Sequence, residues 1–362
     1  MAVKYKWLAG RLETLIRKNI REGINKLPTE QELCKKYGLS RQTVRMALKT
    51  LEEKGLIDKK RGSGSYITGR SPKSRENEVG ILIFNDQDYL YPAVIQDIQD
   101  TLTKNGFFTT VFPTHNQVCQ EREILQKLQA RPPRGLIVEG CKSALPNPNL
   151  DLYRVLIKNG CPVVFLYNYY PELPQCPYVK DDNFSGSSLL VRHLAEQGHT
   201  RIGGIFKADD MQGPERYQGF LETMRDLGLP LSDAPACWYD SRDLARLDAI
   251  GDSSFLNEMI RDLSFCTAIV CYNDFLAYHL ANVLLQSGFQ IPNDISLAAF
   301  DNTYLSNSDI LSITTLSHQP HEMGVRAADT LLKKLKGLPV HSQEARWNLN
   351  QKESTGAAMT ET

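Results

Sequence analysis

Arg41, Gln42, Thr43 and Arg45 lie close together in the run SRQTVRMALKT, and each can read or grip a nucleic acid. Arginine donates two hydrogen bonds to guanine O6 and N7, glutamine pairs with adenine, and threonine meets a thymine methyl or a phosphate. Further on, Asp58-Lys59-Lys60-Arg61 leads into Gly62-Ser63-Gly64 and returns through Ser65-Tyr66-Ile67. That order predicts a basic β-hairpin whose Lys60, Arg61, Gly62 and Gly64 would lie against phosphates or enter the minor groove.

The elements that must hold these residues are written around them. Thr29 followed by Glu32 is a capping box, Gly38 offers a left-handed stop, and Ser40 can cap a second helix from Arg41 to about Lys54. Val44, Leu48 and Leu51 fall on one face of that helix, leaving its first turns exposed as in a helix-turn-helix. A preceding amphipathic helix from about Trp7 to Arg21 carries Leu8, Leu12, Leu15, Ile16 and Ile20 in one stripe, which reads as core. An ordinary charged surface hairpin is the bland alternative. It leaves the agreement of caps, turn glycine, basic helix and basic hairpin unexplained.

Charge supports the division. The chain is neutral overall, yet residues 1–75 hold 19 Lys and Arg against 7 Asp and Glu, leaving 23 against 35 in the remainder. A basic end on an acidic body is the footprint of a nucleic-acid module joined to something else. No apolar run approaches the roughly twenty residues of a membrane span, and the amino terminus lacks a signal-peptide core. Eight scattered cysteines without a CxxC pair point to reduced thiols in the cytoplasm, with no metal and no cofactor expected.

Beyond a polar linker over residues 69–77, apolar strands alternate with amphipathic helices as far as a final helix at about Glu322–Leu335. The fold class is therefore α/β: an N-terminal helix-turn-helix with a hairpin over 1–68, then a doubly wound parallel-sheet body over 78–347, long enough for two lobes. The polar stretch 348–362 reads as a disordered tail. On the helix over Val94–Leu102, Ile95 and Ile98 suit either a dimer surface or the core.

Ligands of such sheets sit beyond the carboxyl ends of the strands. Tyr89 and Tyr91 follow the first strand, Glu139 and Lys142 the third, and Asn168 the next. In the second half come Lys207, Asp210 and Arg216, then Tyr239, Asn273, Asp301 and His318. Carboxylates, amides and flat rings together suit a polyol, whose hydroxyls need paired donors and acceptors. Asp182 and Asp294 read equally well as helix or turn caps, and Tyr167 as core.

The run LPTEQELCKKYGLSRQTVRMALKTLEEKGLIDKKRGSGSYI resembles the winged helix-turn-helix of the GntR family of bacterial transcription regulators. That resemblance implies Glu30 as a DNA-facing residue, Arg41, Thr43 and Arg45 as recognition-helix contacts, and Gly62 and Gly64 as the wing tip. The runs KDDNFSGSSLLVRHLAEQGHTRIGGIF, PERYQGFLETMRDLGL and CYNDFLAYHLANVLLQSGFQIPNDISLAAFDN resemble the effector domain of LacI/GalR regulators, itself similar to periplasmic sugar-binding proteins. By that resemblance, Arg216, Asn273 and Asp301 would touch ligand hydroxyls, Glu139 would line the pocket and His318 would border it.

A GntR-type head on a LacI-type body is similar to the arabinose repressors of Gram-positive bacteria. It implies a homodimeric DNA-binding repressor on double-stranded operator DNA, released by a small sugar, L-arabinose first among candidates. The linker shows no hinge helix. A different sugar, or activation in place of repression, stays open. An enzyme is disfavoured, since G-x-S-x-G, P-loop and HExxH motifs are absent. The basic head also argues against a transport binding protein.

Overall fold

The computed structural model describes residues 2–21, 24–53, 56–60, 64–67, 75–86, 90–231, 236–308 and 311–359. Two compact units divide near Glu76.

The first unit begins with α1 (Ala2–Arg21), followed by α2 (Glu30–Tyr37) and α3 (Arg41–Glu53), then β1 (Ile57–Lys60) and β2 (Gly64–Ile67). The capping box forms as spaced: Thr29 N donates to Glu32 Oε2 at 2.7 Å, and Glu32 N donates to Thr29 Oγ1 at 3.3 Å. Gly38 closes α2 in the left-handed conformation, at φ 62°. Thr43 N donates to Ser40 Oγ at 3.3 Å, so Ser40 caps α3. Leu8, Leu12 and Ile16 of α1 pack on Leu33, Val44, Leu48 and Leu51 in one core. The hairpin pairs Ile57 with Ile67 and Lys60 with Gly64. Arg61 and Gly62 lie outside the described residues, as do residues 69–74 of the expected linker; its last three residues, 75–77, already belong to the strand Arg75–Ile83. Thr29→Ala should cost α2 about 1 kcal/mol. Hydrogen exchange on the intact chain would then run roughly fivefold faster at the α2 amides, while amides of the second unit keep their rates.

The second unit contains two lobes. Lobe one runs β3 (Arg75–Ile83), α4 (Tyr91–Lys104), β4 (Phe108–Pro113), α5 (Val118–Ala130), β5 (Pro133–Val138), α6 (Leu150–Lys158), β6 (Val163–Leu166) and β7 (Tyr178–Asp181). The chain then crosses into lobe two through α7 (Asn183–Glu196), β8 (Ile202–Lys207), α8 (Gln212–Asp226), β9 (Ala236–Tyr239), α9 (Ser241–Ile250) and α10 (Ser254–Asp262). It continues through β10 (Ala268–Cys271), α11 (Asp274–Gln286), β11 (Ser296–Phe300) and β12 (Thr314–Ser317). It returns to lobe one for α12 (Glu322–Leu335) and β13 (Gln343–Ala345), and ends in lobe two with β14 (Asn348–Asn350).

The strand orders are β13-β7-β6-β5-β3-β4 and β14-β12-β11-β10-β8-β9, with β14 antiparallel to its neighbour. Each sheet is covered on both faces, as parallel sheets must be. In lobe one, Ile98, Leu102 and Leu331 pack on one face, with Leu125, Tyr153 and Leu156 on the other. In lobe two, Leu256, Leu276 and Leu280 oppose Leu190 and Phe220. Ile95 and Ile98 are 7% and 0% exposed, so both belong to the core and neither offers a dimer surface. Helices α7 and α8 pack closely because Gly219 carries no side chain: a Cβ there would stand 2.2 Å from the Phe184 carbonyl oxygen.

The expected disordered tail is corrected. Residues 348–350 add a strand, and Ser354 is fully buried. Ser354 Oγ accepts from Thr314 N at 2.8 Å and donates to the Leu297 carbonyl at 2.6 Å. His193 Nε2 lies 2.9 Å from Thr355 Oγ1. The stretch looked solvent-seeking because its order comes from hydrogen bonds to backbone and buried side chains, with little apolar periodicity to announce it.

Candidate functional site

In the first unit, α3 buries Val44, Ala47, Leu48 and Leu51 and leaves Arg41, Gln42, Arg45 and Met46 exposed. Thr43 is engaged with its cap, its hydroxyl 2.9 Å from Ser40 Oγ. Glu30 and Arg45 meet: Arg45 Nε donates to Glu30 Oε2 at 2.9 Å. Met46, 45% exposed, is an apolar member of this face; its type hides it among polar readers, and its position one turn beyond Gln42 is the sequence signal for it. At the hairpin turn, Gly64 has φ 112° with Lys26 Cε packed 3.1 Å from where a Cβ would stand.

In the second unit a cavity of about 240 Å³ opens between the two lobes. Its walls come from the carboxyl ends of strands in both sheets, where backbone groups leave the ladders and side chains converge. Lobe one supplies Phe84 after β3, Glu139 after β5, Tyr167 after β6 and Asp181 at the end of β7. Lobe two supplies Lys207 at the end of β8 and Asp210 just after it, Tyr272 and Asn273 after β10, and Asp301 after β11.

The polar groups are held in set positions. Tyr91 Oη donates to Glu139 Oε1 at 2.9 Å, and Phe84 N donates to Glu139 Oε2 at 2.8 Å. Burial pushes the Glu139 carboxyl up to about 7 against the pull of the Phe84 amide, and the charge of Asp210 raises it further. Lys207 Nζ reaches Asp210 Oδ2 at 2.5 Å and stands 5.1 Å from the centre of the Phe84 ring. Tyr272 Oη donates to Gln212 Oε1 at 2.8 Å, and Gln212 Nε2 donates to Asp181 at 3.0 Å.

Several residues expected in the pocket sit elsewhere. Arg216 is 1% exposed and lies behind the cavity, donating to Asn183 Oδ1 at 2.9 Å and to the Tyr272 carbonyl. Its guanidinium is 3.6 Å from Asp181 and 4.0 Å from Asp301, two carboxylates that do line the cavity. Phe300 and Tyr272 rings lie 4.0 and 4.7 Å from it. Tyr239 is buried edge-on against Tyr272, its hydroxyl without a hydrogen-bond partner among the described residues. Asn168 is buried under the loop after β5 and bonds both backbone groups of Gly140, at 2.8 and 3.0 Å. Lys142 turns to the opposite lobe and pairs with Asp209 at 3.4 Å. Tyr89 lies outside the described residues.

His318 sits where the chain crosses between lobes. Its Nε2 is 2.8 Å from Asp181 Oδ1, its Nδ1 is 3.0 Å from the Arg346 carbonyl oxygen, and its ring stacks on Trp347 at 3.7 Å. It therefore touches all three crossover segments. Burial opposes its protonation, but the hydrogen bond and charge of Asp181 prevail and raise its pKa. Asp182 and Asp294 play the bland parts: Asp182 accepts from Ser185 N at 3.1 Å as the cap of α7, and Asp294 accepts from Gln290 N at 2.7 Å.

Asp181, Gln212 and Tyr272 were missed. Asp181 ends a four-residue strand too short to show a pattern, whereas Tyr272 precedes a residue that was read correctly as lying after a strand. Asp274, which follows Asn273 directly, is completely buried. It accepts from Thr315 Oγ1 and Thr303 N, each at 2.6 Å, and burial pushes its carboxyl up to about 7.

Residues 4–67 match the bacterial regulatory proteins of the gntR family, and residues 191–355 match a periplasmic binding protein-like domain. An arabinose metabolism transcriptional repressor of Geobacillus stearothermophilus is 35% identical over 310 residues, 85% of this chain and 84% of the relative. Its counterpart in Halalkalibacterium halodurans is 31% identical over 342 residues, 92% of this chain and 89% of the relative. Among solved structures, a transcriptional regulator CelR–cellobiose complex aligns with a TM-score of 0.67 at 20% identity, covering 91% of this chain and 100% of that one. A periplasmic binding protein/LacI regulator from Alkaliphilus metalliredigens, complexed with D-xylulofuranose, gives a TM-score of 0.64 at 20% identity, covering 77% and 99%. These two likenesses are of fold. Head, sensor and whole-length relatives agree: the chain belongs to the family of arabinose metabolism transcriptional repressors, DNA-binding regulators in which a GntR-type head is fused to a LacI-type sensor, and it is not an enzyme.

Proposed function

We propose that this regulator is a homodimeric, cytoplasmic repressor whose effector is L-arabinose, bound in the inter-lobe cavity so that operator DNA is released. The observation that carries the reading is the lining itself. Donors and acceptors of fixed orientation come from both lobes, and tyrosine rings stand among them, so a small polyol can join the lobes through its own hydroxyls. The cavity also speaks to ligand charge. Glu139, Asp181, Asp210, Asp248 and Asp301 face it against Lys207, which favours a neutral sugar over a phosphorylated or acidic one. The names of the two long relatives support arabinose.

A gel shift tests the reading directly. Duplex selected by the protein from a randomised pool should be released by L-arabinose and retained with L-arabinose 5-phosphate. Retention with every pentose would overturn the sugar assignment and leave DNA binding standing. Within the pocket, residues 84, 91, 139, 181, 207, 210, 273 and 301 are the proposed contacts; on DNA, residues 30, 41, 42, 43, 45, 60, 61, 62 and 64 keep that role.

Protonation gives a second handle. Glu139 titrates near 7 in the free protein, and a hydroxyl donating to its carboxylate favours the ionised form. Sugar affinity should therefore climb between pH 6 and 8 and level off above, by up to roughly tenfold per pH unit on the acid side. Glu139→Gln should flatten that dependence in isothermal titrations. An unchanged slope in the variant would assign the titration to another group.

A further inference from the structure

Protein–protein contacts that use no ligand also bridge the lobes. Lys142 and Ser143 lie on the loop between β5 and α6, and Asn116 on the loop after β4, all in lobe one. Lys142 Nζ is 3.4 Å from Asp209 Oδ2, a carboxylate only 5% exposed. Ser143 Oγ accepts from Met211 N at 3.0 Å, at the start of α8. Asn116 Nδ2 donates to Ser241 Oγ at 2.8 Å, and Asn116 Oδ1 accepts from Lys142 N at 2.6 Å. Ser241 in turn donates through both N and Oγ to Asp209, each at 3.2 Å. Apart from Ser241, these side chains stand outside the cavity lining.

The loop that presents Lys142 and Ser143 is anchored from beneath. Glu121 on α5 is completely buried and accepts from Asn147 and Asn149 at 2.8 Å, Tyr153 at 2.7 Å and Tyr170 at 3.0 Å. Tyr170 Oη also lies 2.9 Å from the Cys141 carbonyl oxygen. Such a fully bonded buried carboxylate fixes a loop in one conformation. Lys142 itself sits at φ 45°, a left-handed backbone held by these bonds and by the Asn116 side chain.

We infer that Lys142, Ser143 and Asn116 form an inter-lobe latch with Asp209, Met211 and Ser241, positioning residues that set how much of the unliganded sensor is already closed. The inference rests on the reading of the cavity as a sugar site that closes on its ligand. A latch of this kind acts on every ligand alike, because apparent affinity scales with the fraction of binding-competent protein. A pocket residue instead changes the order of preference among ligands.

The test uses the full-length protein. Lys142→Met should weaken L-arabinose binding by about tenfold and Ser143→Ala by about threefold, with Lys142→Arg near wild type. The ratio between L-arabinose and the second-best sugar of a wild-type panel should stay constant in every variant. Small-angle scattering of unliganded Lys142→Met should give a larger radius of gyration than wild type. Wild-type affinity in Lys142→Met, or a changed ratio between the two sugars, overturns the latch. If wild type binds no sugar, the cavity reading itself falls, and an unchanged radius in Lys142→Met then overturns the latch independently.

Discussion

Arg216→Ala should destabilise the sensor by about 3–5 kcal/mol and abolish sugar release, because it strips the cation from beneath two carboxylates that face the cavity. The guanidinium is 1% exposed, enclosed by Phe300, Tyr272 and Trp347 rings, and tied to Asn183 and the Tyr272 carbonyl. Its removal leaves Asp181 and Asp301, 2% and 8% exposed at the side chain, without their shared positive charge. For a unit of this size the midpoint of thermal unfolding should fall by roughly 5–8 °C. Arg216→Lys should recover part of that loss but little of the sugar response, since one ammonium cannot replace the planar fork and its stacking. Calorimetry with a parallel gel shift separates the two effects. A variant with wild-type midpoint and normal release would show that the aromatic cage, and not the charge, holds the cavity floor.

This effect differs from one expected of a ligand contact, and the difference marks where sequence reasoning ran out. Arg216 was read from its place one turn into a helix that follows a strand. Such a place in the chain lies near the site and leaves its depth undetermined. Depth depends on the crossover segments and on distant strands of its own lobe, which supply residues 181, 183, 272, 300 and 347, far apart in the chain. Lys142 and Asn168 failed in a related way: each follows a strand at the site, yet one turns to the opposite lobe and the other supports a loop. Local patterns were otherwise informative. The capping box, the glycine stop, the cap of α3 and the alternation of strands and helices all depend on neighbours within a few residues. The short crossover strands β7, β13 and β14 do not, because four residues or fewer carry too little periodicity to read.

The crossovers gather what each part of the site needs. His318 bonds Asp181 from one segment and Arg346 from another while stacking on Trp347. Asp181 also faces Arg216 and accepts from Gln212 of lobe two. A hydroxyl that engages Asp181 therefore pulls on the segment about which the lobes must rotate. Rotation of this kind is what a repressor needs in order to turn occupancy of a small cavity into altered geometry elsewhere, and the coupling typically amounts to about 1–3 kcal/mol.

At the other end of the chain, Arg45→Ala should weaken binding to the selected operator by about 1–3 kcal/mol and relax preference at one base pair in each half-site. Arg45 is 66% exposed, and its contact with Glu30 uses Nε, so its terminal nitrogens are outside that pair and able to donate to a guanine edge. Glu30, itself 32% exposed, holds the side chain in that pose; the ion pair alone is worth little in water, about 0–1 kcal/mol. Glu30→Gln should therefore reduce discrimination less than Arg45→Ala does, while Arg45→Lys should lose most of it, because a point charge cannot make the paired contact. Fluorescence anisotropy across single-base operator variants at several salt concentrations distinguishes the roles. If Arg45→Ala lowers affinity equally for every sequence and reduces the salt slope by about one, the residue grips phosphate, and base reading passes to Arg41 and Gln42.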